Sequence, residues 1–288
     1  LAGLLVLSLV STVFAQGDLT PPGAPAPTMK TLDQVEPRTP ITNLPFTISS
    51  PGSYYLTGTF TGLVGAEGVT ISSDNVTLDL NGFALVGKPG SFNGVLVSGT
   101  RSGICVRNGS VREWGLSGIN MLTAVNSQVL DVRASTNAAV GIWVGKGCRV
   151  GNCTAFGNPW GGIGAKDGSS VEGCVASGNG LGIGTENGCM VRGCSTSENV
   201  ADGISVWGKS VISECQVFKN GTNGIVGGHG SIITKCTVSE NGGDGIRVIR
   251  NCQVRDNDCL ENGKDPGDGA GIHATETGNR IEGNHSAG

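Results

Sequence analysis

The sequence predicts an all-β fold, a single-stranded right-handed parallel β-helix or solenoid with about 20–21 residues per coil, and three observations predict it. Gly141, Gly162, Gly182, Gly203, Gly224 and Gly245 recur at spacings of 21, 20, 21, 21 and 21, each followed by isoleucine. Seventeen residues after each glycine stands an asparagine: Asn158, Asn179, Asn199, Asn220, Asn241 and Asn262. Twelve residues after it stands a cysteine in five repeats (Cys153, Cys174, Cys194, Cys215, Cys236) and Asn257 in the sixth. A fixed period of this length marks a solenoid built from one repeated supersecondary unit.

Within a repeat, apolar and polar residues alternate over runs too short for a helix. In the repeat that opens at Gly203 the pairs are Ile204/Val206, then Ser210/Ile212, then Cys215/Val217, separated by glycine or polar residues. Each repeat therefore holds three short strands and three turns. Equivalent residues in successive coils would lie about 4.8 Å apart if the coils pair in parallel, and each coil would bury its apolar face against its neighbours. The inward positions include the isoleucine after each glycine and the column Val150, Val171, Val191, Ile212, Ile233 and Val254. The asparagine column is expected to hydrogen-bond along the stack through its side-chain amides.

Composition agrees with a fold of thin strands and turns: 50 of the 288 residues are glycine, without a collagen period, and 15% are charged. Such a chain reads as one long narrow core. A net charge of -4 and few lysine clusters argue against a nucleic-acid partner. The ten cysteines are expected to be mostly reduced, buried thiols. Cys148, Cys189 and Cys252 share a column but sit two or three coils apart, beyond disulfide reach, and neighbours in the Cys153–Cys236 column could be bridged only with strain. Without a histidine in that column, no zinc set is expected.

Taken in order, residues 1–15 (LAGLLVLSLVSTVFA) read as the remnant of a secretory signal peptide, too short to span a bilayer, so the protein is expected to be secreted or on the cell surface. No other stretch is apolar for long enough to be transmembrane. Residues 16–45 carry most of the prolines and read as a linker or arm. Residues 46–288 form the predicted β-helix, with 46–93 as irregular capping coils and 94–288 as regular ones. An insertion at 263–270 lengthens one turn before Ile272 resumes the pattern. A natural solenoid end carries a cap, so the C-terminus is expected to be truncated.

The glycine–isoleucine repeats, the asparagine column and the segment PGSYYLTG…VTLDLNGF resemble the pectate-lyase-like superfamily of right-handed β-helices. The stretch LTPPGAPAPTMKTLDQVEPRTPI resembles the opening of a group of exported bacterial β-helix proteins. The resemblance implies the fold; the superfamily includes lyases, hydrolases, epimerases, phage tailspikes and adhesins, so function must be argued from the site. Pectate lyases would imply an aspartate cluster holding calcium, with arginine or lysine as base. The candidates are Asp202, Asp244 and Asp268, with Asn223 between the first two and Arg247 or Arg250 as the basic residue. Two coils, about 10 Å, separate Asp202 from Asp244, too far for one calcium, so Asp265 and Asp268 in the insertion are the better cation candidates. No other cofactor is expected. Polygalacturonase-type hydrolases would imply paired aspartates with Gly-His-Gly and Arg-Ile-Lys segments. Gly228-His229-Gly230 is present, but the rest is not, and two carboxylates at a set separation are needed. His229 reads as a turn substitution.

Outward aromatics carry the stronger functional signal. Trp143 and Trp207 alternate away from the inward residues, and Trp160 lies in the turn before Gly162. Indoles on a flat sheet can stack on sugar rings; the competing reading is that they cover neighbouring turns. Glu198, Lys219, Glu240 and Glu261 share an offset and form a charge ladder worth little in stability. The leading expectation is an exported, noncatalytic β-helix that presents a rigid face to polysaccharide or another cell-surface polymer. The alternatives are a polysaccharide lyase or glycoside hydrolase using Asp202, Asp244, His229 and Arg247, and a structural module of a larger surface protein.

Overall fold

The computed structural model describes residues 36–263 and 269–287. The signal-like residues 1–15 and most of the proline-rich arm lie outside the described residues. The chain divides into a unit Leu1–Pro37 and a unit Arg38–Gly288, and the second holds the solenoid. Among the described residues there is no helix, and none is therefore long and apolar enough to cross a membrane.

Every strand pairing is parallel, and equivalent residues of successive coils stand side by side. A 12-stranded sheet runs through the rungs Phe46–Ile48, Val69–Ile71, Val95–Val97, Ile119–Val125 and Val140–Lys146 to Ile272–Ala274. The remaining 21 strands form a sheet with two faces. Cys105–Arg112 and Gln128–Ser135 each run around the corner between these faces and pair with two separate strands in a neighbouring coil. A coil such as the one from Gly203 therefore reads Ile204–Gly208, Val211–Ser213, Gln216–Phe218, then a connecting loop.

The corners have one construction used three times per coil. A left-handed residue turns the chain, and the residue after it is small and buried: Lys209 (φ 52) before Ser210, Glu214 (φ 57) before Cys215, Lys219 (φ 55) before Asn220. Left-handed backbone at a residue with a Cβ costs roughly 1–2 kcal/mol, so something must hold it. At the third corner the Asn220 Nδ2 donates to the carbonyls of Thr196 and Phe218, both at 3.3 Å, and to Asn241 Oδ1 at 3.0 Å. The same amide-to-amide bond links Asn137, Asn158, Asn179, Asn199, Asn220, Asn241 and Asn262 in turn. The expected asparagine ladder is thus continuous, and Asn137 extends it by one rung. Glu198, Lys219, Glu240 and Glu261 are the left-handed residues of this corner; Lys219 Nζ comes within 3.9 Å of Glu240, a solvent-screened contact worth at most about 1 kcal/mol.

The interior is a column of aliphatic rungs. The isoleucines from Ile142 to Ile246 and the residues from Val150 to Val254 are at most 2% exposed, and burying each contributes about 1.5–3 kcal/mol. All ten cysteines are free thiols. The corner cysteines donate from sulfur to carbonyls, as Cys174 Sγ does to Glu172 O at 3.3 Å. Hydrogen bonding of the Cys174 thiol to the sulfurs of Cys153 and Cys194, together with burial, holds it far above its ordinary pKa, and Cys215 is raised the same way by Cys194 and Cys236. Burial, with the Asp258 carboxylate beside it, pushes Cys259 up to about 12.

The first coils differ from expectation in two ways. Thr39–Ile41, which fell in the predicted arm, is a strand paired in register with Tyr54, Tyr55 and Leu56, and Ile41 is fully buried. Its proline obscured it: Pro40 has no N–H, yet this strand has a single neighbour, so the missing donor breaks no second ladder. Residues 46–93, expected to be irregular, give complete rungs in both sheets. Their extra length sits in loops whose glycines pack against Trp114, which is 1% exposed and donates from Nε1 to Leu85 O at 3.1 Å. Glycine is required beneath it, because a Cβ on Gly62 or Gly68 would lie 2.4–2.7 Å from the indole ring.

Candidate functional site

The sequence-predicted candidates that the structure describes belong to the 12-stranded sheet or to the loop that leads into it, except Arg250, which lies past the strand Ile246–Val248 and comes within 3.9 Å of Glu276. Two features result.

The first is a groove of about 320 Å³ that brings together Trp143, Trp160 and Trp207. Trp143 stands two residues past Gly141 and faces outward, where parallel register sets it beside Gly164, and Gly164 beside Gly184. Two successive glycines in the outward column leave a trough. The Trp143 indole leans into it, since a Cβ on Gly164 would lie 2.9 Å from the ring, and Leu181 leans over Gly184 in the same way at 2.7 Å. The floor is therefore apolar. Trp160 rises from the connecting loop and Trp207 from the far side, 71% and 67% exposed. Lys166 and Glu186 supply the polar rim. Sequence parity indicated the tryptophans. It missed Leu181 and the paired glycines, whose signal is two adjacent coils reading Gly-Ile-Gly.

The second feature is a column of carboxylate and amide side chains in the connecting loop. Asp202 Oδ1 accepts the Asn223 N–H and Nδ2, both at 3.0 Å, and the Thr222 hydroxyl. Asn223 Oδ1 accepts the Asp244 N–H at 3.1 Å. Asp244 Oδ1 accepts the Ala270 N–H at 2.9 Å, and Oδ2 lies 2.8 Å from Nδ1 of His273. Asp244 is only 8% exposed, because its carboxylate turns back to serve as acceptor for the next coil. Asp202 and Asp244 are thus joined through Asn223, not by a shared ion. Asp265 and Asp268 lie outside the described residues. Among the described residues, no group of three or more histidine, cysteine, aspartate or glutamate side chains converges as a metal site.

His273 is a residue that sequence reasoning missed. It stands two residues after Gly271, the offset of Arg247 from Gly245 and of Trp143 from Gly141, and it pairs in register with Arg247. The insertion at 263–270 hides this by stretching the period. Counting from Gly271 would have found it. His273, Arg247 and Asp244 line one cleft of about 500 Å³. His229, by contrast, ends the strand Ile225–His229 and pairs with Gly208, and no side-chain hydrogen bond joins it to Asp202, Asp244 or Arg247. Its glycines have structural duties: a Cβ on Gly228 would lie 1.6 Å from Trp207 O, and Gly230 is a left-handed corner (φ 67).

A search of curated protein sequences gave no match. Among solved structures, the A-module of mannuronan C-5 epimerase AlgE6 from Azotobacter vinelandii superposes with a TM-score of 0.68 at 15% identity, over 87% of this chain and 84% of that one. The A-module of AlgE4 from the same organism gives 0.62 at 14% identity over 87% and 89%. The Dettilon tailspike protein gives 0.56 at 14% identity, over 86% of this chain and 54% of its own. At these identities the likeness establishes the fold. The model of the right-handed β-helix region matches residues 62–210 and 145–286, most of the chain, and the protein belongs to that family.

Proposed function

We propose that the protein is an exported β-helix that binds a polysaccharide or another cell-surface polymer along the outer face of its 12-stranded sheet, without chemically altering it. The observation that carries this reading is the convergence of Trp143 and Trp160 from one coil and Trp207 from another on one glycine-floored groove. Flat apolar faces with a polar edge suit the alternating apolar and hydroxylated surfaces of a sugar chain. The solved structures of like fold include an enzyme named for mannuronan and a tailspike protein, which supports a polymer ligand. The apolar stretch at 1–15 supports a secreted or surface location.

An enzyme of the lyase or hydrolase class would need a free acid and base facing one sugar. Asp202 takes three donors on one oxygen and Asp244 is buried, an arrangement that favours binding over acid–base work by a pair of exposed carboxylates. The test is native affinity electrophoresis through gels containing neutral or acidic polysaccharides. Retardation by one of them, weakened roughly tenfold (about 1.4 kcal/mol) in Trp143→Ala and Trp207→Ala, supports the proposal. Retardation unchanged in both variants contradicts it, and new reducing ends or unsaturated products would make the protein an enzyme.

A further inference from the structure

The outward column that holds Trp143, Gly164 and Gly184 continues through Ser205 and Val226 to Arg247 and His273, each in register with the next. Successive rungs are about 4.8 Å apart. Arg247 is therefore two rungs, about 10 Å, beyond the rung of Trp207, and His273 is one rung further. A polymer lying along the solenoid axis on the tryptophans would run directly over both.

These two side chains are prepared differently. Arg247 is exposed and has no ion-pair partner among the described residues, so its guanidinium is available to a ligand. A planar guanidinium suits a carboxylate or sulfate group. His273 is held by the side chain of Asp244, which is 11% exposed against 49% for the imidazole. A carboxylate that accepts the Nδ1–H fixes the tautomer and leaves Nε2 as an acceptor. The Asp244 charge is itself answered by the Ala270 N–H at 2.9 Å. Arg247 and His273 open into the same cleft, beside Thr222 and Asn223.

We propose that Arg247 and His273 form a second subsite that selects an acidic sugar residue in the polymer held by the tryptophan groove. Arg247 pairs with the carboxylate or sulfate ester, His273 Nε2 accepts a hydroxyl of the same residue, and Asp244 positions the imidazole. The subsite rests on the groove reading for the path of the polymer, but it makes its own contacts and has its own signal.

The signal is the imidazole ring. The chain has three histidines, His229, His273 and His285, so their ¹H–¹⁵N ring resonances can be followed separately in the full chain. The probes are oligogalacturonate for the carboxylate, sulfated dextran oligomers for the sulfate ester, and unmodified dextran oligomers as the neutral arm. At least one acidic probe is expected to shift the His273 signals while leaving His229 in place, with the neutral arm silent at His273. Arg247→Gln is expected to weaken that acidic ligand about tenfold or more, and Arg247→Lys to recover part of it. Asp244→Asn is expected to change the His273 tautomer signature and weaken the same ligand. Silence of His273 with both acidic probes, or an equal response in Arg247→Gln, overturns the subsite. The groove is tested apart from it: loss of dextran retention in Trp207→Ala with a silent His273 leaves the groove standing and removes the subsite. A responsive His273 with unaltered retention in the tryptophan variants does the reverse.

Discussion

The corners of the solenoid and the outer face of its 12-stranded sheet are made by the same coils, yet they follow opposite rules. At two of the three corners the same side chain returns coil after coil: seven asparagines from Asn137 to Asn262 are joined by side-chain amide bonds, and five cysteines from Cys153 to Cys236 form a second unbroken column, while the third corner takes cysteine or serine. On the outer face the column changes at nearly every rung, from Trp143 through Gly164, Gly184, Ser205 and Val226 to Arg247 and His273. A buried polar group must find a partner, and in a parallel stack the cheapest reliable partner is an identical residue one rung away. A solvent-facing group has no such requirement. Uniform columns therefore mark architecture, and the irregular column is the one left free to vary.

This contrast makes graded predictions. The largest loss of stability is expected inside the coil: Ile204→Ala, at a fully buried rung, should cost about 2–5 kcal/mol in urea unfolding. An effect below 1 kcal/mol would mean that coils unfold separately. Asn179→Ala comes next. It removes the acceptor of the Asn158 N–H and Nδ2 bonds and the donor to Asn199, so a cost on the order of 3 kcal/mol is expected from buried groups left unpaired. Cys174→Ser should cost roughly 1 kcal/mol, since a hydroxyl can serve the Val150 and Glu172 carbonyls that the thiol serves now; a much larger cost would give the sulfur column a role beyond packing. Gly164→Ala should be the mildest for stability, within about 1 kcal/mol. It should still displace the Trp143 indole and weaken polysaccharide retention, while the corner variants that remain folded retain it.

The same contrast explains what could be read from the sequence. The buried columns were legible because a fixed period places identical residues at identical offsets, so Ile142 and Asn158 announce the coil by themselves. Trp143 and Trp207 were legible from strand parity. What parity cannot show is lean: Leu181 and Trp143 close the groove floor because two glycines leave room beneath them. Nor does counting from one end survive a change of loop length, which is why His273 escaped, while the rung Thr39–Ile41 was hidden by its proline. The burial of Asp244 was hidden for a different reason. A loop carboxylate looks solvent-exposed in sequence, and only the next coil supplies the Ala270 N–H and the imidazole that draw it inward.

The asparagine ladder has a direction. Each Nδ2 donates to the Oδ1 one coil further along the chain, from Asn137 to Asn262, and never the reverse. The amide dipoles therefore add head to tail and polarise one another. Each internal coil presents a donor on one side and an acceptor on the other, so any two cut at the same offset are chemically interchangeable. Excising or duplicating one whole coil would restore every bond of this ladder at the new junction, and the 12-stranded face could be lengthened or shortened in whole-coil steps while the ladder's polarity stays the same.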